Sequence, residues 1–159
     1  KSGKSREYVF DGFVNSTEWA NVCLNAGILS GGKTKPTITK DASTDIIAFV
    51  TRLYTTCLGR NPEIGGLNYW STELANVRVT GTQAAMKFFF SDEFIKAKYS
   101  DAEFVTRLYR TFMNREPDQE GFTYWMGQLK KGTDRKTVFM GFAGSTEFAE
   151  KCMEAGIVR

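Results

Sequence analysis

Two pairs of adjacent aromatic residues, Tyr69–Trp70 and Tyr124–Trp125, stand at the same place in two near-copies of one phrase. Rings of this kind stack on sugars and other flat ligands, so they are the first candidates for a binding platform. The other residue types that carry chemistry lie around them. Eighteen carboxylates include a recurring Pro-acid-x-x-Gly run, "PEIGG" from Pro62 and "PDQEG" from Pro117. Paired carboxylates are what glycoside hydrolysis requires, and closely spaced oxygen ligands are what calcium requires. Serines recur as Ser-x-Glu-aromatic at Ser16, Ser91 (with Asp92 between) and Ser145, and three cysteines, Cys23, Cys57 and Cys152, add thiols.

Each catalytic or metal reading then meets an obstacle. The chain has no histidine, so a Ser–His triad cannot be assembled. Three cysteines without CxxC spacing and without histidine make a poor zinc site. The Pro-acid-x-x-Gly run lacks the alternating oxygen ligands of a calcium loop. The recurring acids stand at helix starts, where negative charge meets the positive end of the helix dipole. The cysteines occupy helical core positions and read as buried thiols. The expectation is therefore a protein that is not an enzyme, with no catalytic residues, no metal and no cofactor.

What positions these residues is a repeat. "FVTRLYTTCLGRNPEIGGLNYWSTEL" from Phe49 to Leu74 and "FVTRLYRTFMNREPDQEGFTYWMGQL" from Phe104 to Leu129 agree at 13 of 26 positions with a shift of 55. Self-similarity over tens of residues marks a repeated supersecondary unit. A second echo pairs "FDGFVNSTEWANVCLNAGI" from Phe10 with "FMGFAGSTEFAEKCMEAGI" from Phe139, with a looser middle copy, "MKFFFSDEFIKAK", from Met86. The unit is thus about 55 residues long. Residues 1–29 are a half-unit resembling the second half of a repeat, 30–44 a linker, 45–100 the first full unit and 101–159 the second. The Gly-, Lys- and Thr-rich stretch "SGGKTKPTITKDAST" carries the linker assignment. Only "YSDAE" separates the two full units, so they must pack directly on each other as one domain, and the chain reads as a piece of a longer protein.

No stretch alternates at period two, whereas helical spacing is everywhere. Phe49, Val50, Leu53, Tyr54, Cys57 and Leu58 make one apolar stripe, repeated by Phe104, Val105, Leu108, Tyr109, Phe112 and Met113. Gly59 and its counterpart Asn114 are residues that end helices in the left-handed conformation. Pro62 and Pro117 suit the first turn of the next helix, followed by Glu63 and Asp118. Gly66 and Gly121 sit inside that helix at a cost of about 1 kcal/mol each, which implies a close crossing there. Trp70 and Trp125 share the core-facing stripe with Leu67 and Leu74, or Phe122 and Leu129. Tyr69 and Tyr124 lie off that stripe, on the glycine line. Ser91 and Ser145 are N-caps with Glu93 and Glu147 in the first turn. Arg60 and Arg115 stand between two helices, beside exposed carbonyls and Glu63 or Asp118, and read as internal ligands. The fold class is all-α, a compact helical repeat or bundle with about four helices per unit.

Bulk properties limit the partners. Net charge is +3, with 21 basic and 18 acidic residues interspersed. The basic stretches lack interleaved aromatics, which argues against nucleic acid as a partner. No apolar run approaches the roughly 20 residues that span a bilayer, and the first residues lack a signal peptide's apolar centre.

"RLYRTFMNREPDQEGFTYWMGQLKKG…GFAGSTEF", from Arg107 to Phe148, resembles domain of unknown function 4214, a helical family of bacterial secreted and surface proteins. The tandem arrangement, the "AGI" endings and "FFFSDEF" are similar to the version attached to large exported proteins of gut Firmicutes. The family is also similar to the helical domain of phycobilisome linker proteins, which assemble other proteins and catalyse nothing. The resemblance covers nearly the whole chain outside the linker. It extends to Arg60, Pro62, Gly66, Tyr69 and Trp70, and to Arg115, Pro117, Asp118, Gly121, Tyr124 and Trp125. Asn114 replaces the family's usual Gly, and Glu63 its usual Asp. The resemblance implies an extracellular or cell-surface accessory module of a larger bacterial protein, and supplies no ligand. Three functions follow in order: a module binding a glycan, a cell-wall polymer or another protein; a spacer or assembly scaffold; and, least supported, a glycoside-cleaving enzyme. The candidate ligand-binding residues are Tyr69 and Tyr124.

Overall fold

The computed structural model describes residues 42–159, with Phe10 and Trp19 from the preceding stretch. The half-unit 1–29, with Cys23 and Ser16, and the linker as far as residue 41 otherwise lie outside the described residues. Trp19 occupies a helical position and is half-buried.

All regular structure among the described residues is helical. In the first unit α1 (Thr44–Arg52) runs on into a π-wound segment (Leu53–Leu58), followed by α2 (Ile64–Ala75), α3 (Gly81–Phe89) and α4 (Asp92–Lys96). The second unit repeats the order with α5 (Asp101–Leu108) and its π-wound segment (Tyr109–Met113), then α6 (Gln119–Lys130), α7 (Arg135–Ala143) and α8 (Thr146–Ala155). Four helices per unit match the expectation from caps and breakers.

The starts and stops have local causes. The hydroxyls of Ser91 and Ser145 accept the backbone N–H of Phe94 and Phe148, both at 3.1 Å, satisfying donors that a helix start leaves free. Thr80 with Gln83, and Ser100 with Glu103, form reciprocal capping boxes, the arrangement in which two orphan donors are satisfied at once. Gly59, Asn114 and Gly156 end their helices at φ 77°, 54° and 69°. One expectation needs correcting: Pro62 and Pro117 precede the helix caps and do not sit in the first turn. Glu63 and Asp118 are the N-caps, with extended ψ of 146° and 157°. Asp118 accepts the Gly121 N–H at 2.7 Å, whereas the longer Glu63 side chain makes no capping bond. The first unit also begins earlier than its linker assignment, because Ala42 is buried and Ser43 caps α1.

A single core runs through both units. Phe49, Leu53, Phe88 and Phe89 come from the first, and Leu108, Phe112, Phe139, Phe142 and Phe148 from the second, all almost fully buried. The units meet about a pseudo-two-fold axis. The hydroxyls of Thr56 and Thr111, one repeat apart, hydrogen-bond at 2.7 Å, and contact between equivalent positions is what a two-fold relation produces. Reciprocally, α1 touches the second π segment and α5 touches the first. Arg107 reaches across to donate to the carbonyls of Thr56 and Cys57 at 2.8 and 2.9 Å. The Gly81 N–H donates to the Val158 carbonyl at 2.6 Å, which ties the end of the chain to the first unit.

The two described cysteines, Cys57 and Cys152, are free and buried. Burial pushes the Cys152 thiol up to about 12 and raises that of Cys57 as well. The thiolate is the reactive form, so both should react with a chromogenic disulfide reagent only as fast as the fold opens. Rapid labelling of either thiol in the folded protein would contradict this burial.

Candidate functional site

The Tyr–Trp pairs are divided between surface and core. Tyr69 and Tyr124 are 56% and 57% exposed, and each ring stands edge-on to its neighbouring indole, with centroids 5.2 and 5.0 Å apart. Trp70 and Trp125 are half-buried rather than fully inside. They pack against Phe88 and Phe142 at 5.4 and 5.1 Å, forming a shelf between the core and each exposed tyrosine. The reason lies in α2 and α6, which are outer helices: α2 buries Leu67, Ser71 and Leu74, while α6 buries no residue completely.

The glycines make room for a different pair of tyrosines. A Cβ at Gly66 would meet the hydroxyl of Tyr54, and one at Gly121 the hydroxyl of Tyr109. The close approach is therefore that of a buried phenol on the preceding helix. Trp70 and Trp125 stand four residues on from these glycines, about one helical turn, so it is the tryptophan that shares the glycine line. Burial raises both phenol pKa values, with Arg60 and Arg115 pulling them back. Periodicity alone did not single out Tyr54 and Tyr109 as partners of the glycines. The signal was there in the shared spacing, since Tyr and Gly recur twelve residues apart in both copies.

Arg60 and Arg115 bind within the protein, and their main partners are on the fourth helix of each unit. Arg60 forks onto Glu93 with contacts of 2.6 and 3.0 Å, and Arg115 onto Glu147 at 2.7 and 3.0 Å. Asp118 adds a contact to Arg115 at 3.1 Å, and Glu63 a looser one to Arg60 at 3.8 Å. Each guanidinium also covers a buried phenol, Tyr54 at 5.1 Å and Tyr109 at 5.0 Å. These hydrogen bonds lower the pKa of Glu93 and Glu147. Their contribution is thus complete above the unfolded carboxylate value of about 4.3 and is lost as pH falls through the folded pKa. Because the pair is more than a third exposed, Arg115→Ala should cost about 0.5–1 kcal/mol at neutral pH. The loss should shrink as pH falls through the lowered Glu147 pKa, as read by urea titrations at neutral and at acid pH. An unchanged midpoint at pH 7 would show that this arginine serves something outside the fold.

Among the described residues no group of three or more His, Cys, Asp or Glu side chains is placed to hold a metal ion. No described helix is long and apolar enough to cross a membrane. The arrangement is that of an all-α domain of two repeats closed about a pseudo-two-fold, with a Tyr–Trp–Gly–Arg constellation written once in each. The family described as Domain of unknown function (DUF4214) matches residues 37–97 and again 85–152, and the chain belongs to that family. Comparison with curated proteins and with solved structures found no match.

Proposed function

We propose that the domain is a non-catalytic binding module of an exported protein, engaging a repetitive partner such as a glycan or cell-wall polymer through Tyr69 and Tyr124. The observation that carries this reading is that both rings, at equivalent positions, stand more than half exposed on an indole shelf. An exposed ring held by a rigid neighbour gives up little freedom when it stacks on a sugar face. Two equivalent weak sites on one rigid body gain avidity for a polymer with many identical epitopes. Tyr69→Ala with Tyr124→Ala should weaken retention on insoluble cell-wall material by about tenfold or more, with the melting midpoint little changed. Equal retention by the folded double variant would refute the tyrosine platform. The single core shared by both units also suits a stiff spacer between other domains. That second reading takes over if the parent protein is retained by no glycan or wall fraction.

A further inference from the structure

Arg52 and Arg107 occupy equivalent positions in the two units, yet only one of them is satisfied. Arg107 donates to two carbonyls of the facing unit and lies 3.7 Å from the centroid of the Tyr99 ring. Arg52 finds no hydrogen-bond acceptor among the described residues, its Nε is buried without a partner, and its guanidinium has only the Phe49 ring beneath it, 5.7 Å from the centroid. Each of the other described arginines donates to a carboxylate or a carbonyl. The cause is the asymmetry of the fourth helices. After the short α4 the chain brings Tyr99 over Arg107, whereas the longer α8 continues past the corresponding point and places Lys151 and Glu154 beside Arg52.

The result is a half-open cleft of about 160 Å³ between α1, α8 and Asn114. Its charged walls are Arg52 and Lys151 against Asp45 and Glu154, with Lys151 and Glu154 paired at 2.7 Å. Ala48 and Ala155 supply the apolar lining. The two terminal nitrogens of the Arg52 guanidinium can take a carboxylate fork to fork, while the buried Nε stays out of a ligand's reach. The two wall carboxylates cancel the field that a plain anion would need, and they favour a ligand that also brings a cation. We infer that this cleft binds a small zwitterion, its carboxylate on Arg52 and its ammonium toward Asp45 and Glu154. Desolvation holds the Arg52 pKa below its ordinary value, a cost that a bound carboxylate relieves. The site is separate from the tyrosines and does not depend on their role.

The test is a titration of the full chain with glycine, β-alanine, 4-aminobutyrate, acetate and methylamine, followed through the backbone amides of Asn114 and Ala155. At least one of the three zwitterions should bind about tenfold more tightly than acetate or methylamine. Arg52→Gln should abolish that binding while leaving the melting midpoint little changed, because among the described residues the arginine has no hydrogen bond to lose and its burial is unfavourable to its charge. Tyr69→Ala with Tyr124→Ala should leave the titration untouched. Acetate binding as well as every zwitterion, the absence of any shift, or full binding by the Arg52→Gln variant would each overturn the inference.

Discussion

Phe112→Ala should lower the stability of the folded domain by about 3–5 kcal/mol and its melting midpoint by roughly 10–20 °C. This ring is 1% exposed and sits where the two units join. Phe148 lies 4.4 Å from it, Phe139 5.2 Å, Phe89 5.9 Å and Phe142 6.4 Å, all between ring centroids. Phe89 belongs to the first unit and the other three to the second, so truncation opens a void that neither unit can close alone. The position one repeat earlier is Cys57, also fully buried. The two units therefore place a large ring and a small thiol at matching sites beside the axis. Loss of the ring should weaken both units together and keep one cooperative unfolding transition. Two separate transitions, or a loss under about 1 kcal/mol, would show that the units do not share a core.

That shared core was only partly legible in the sequence. The apolar stripe from Phe49 to Leu58 and its copy gave the helices, and Gly59 and Asn114 gave their ends, because periodicity and left-handed stops are local properties. The serine caps at Ser91 and Ser145 were readable for the same reason. The capping box inside "YSDAE" was equally local, although that stretch first stands out only as the short joint between the units. The positions of Pro62 and Pro117 were missed by two residues, since a proline before an acid suits a pre-cap site as well as a first turn. The partners of Arg60 and Arg115 were harder. Glu93 and Glu147 lie 33 and 32 residues away, and each already had a sufficient local explanation as a first-turn acid.

The pseudo-two-fold was not legible at all. A repeat of 55 residues is compatible with translation along an open array or with rotation into a closed pair. Only the Thr56–Thr111 contact and the reciprocal packing of the π segments decide between them. That choice bears on function. A closed pair uses up the faces through which the units meet and leaves α2 and α6, with Tyr69 and Tyr124, as the repeated outer surface. The unsatisfied Arg52 likewise becomes visible only against its satisfied counterpart, which requires the symmetry to be known first.

Gly121→Ala should be destabilising by about 1–3 kcal/mol, although helix propensity alone argues for a gain of about 1 kcal/mol. The new methyl would meet the Tyr109 hydroxyl, with the ring carbon bearing it and Asp118 Oδ1 both at 3.2 Å. The phenol has little room to retreat. It is 5% exposed, stands edge-on to Phe142 at 4.9 Å, and carries the Arg115 guanidinium 5.0 Å from its centre. Either the ring leaves its place in the core or α6 shifts outward and carries Tyr124 with it. Removing the hydroxyl by Tyr109→Phe vacates the space the methyl needs, so the double variant should recover much of the loss. Urea titrations of the parent, both single variants and the double variant should then give a favourable coupling of about 1–2 kcal/mol. Gly66→Ala with Tyr54→Phe offers an internal replicate, because the same contact recurs in the first unit. A stabilising Gly121→Ala, or a cycle with no coupling in either unit, would mean that these glycines are kept for something other than room for a buried phenol.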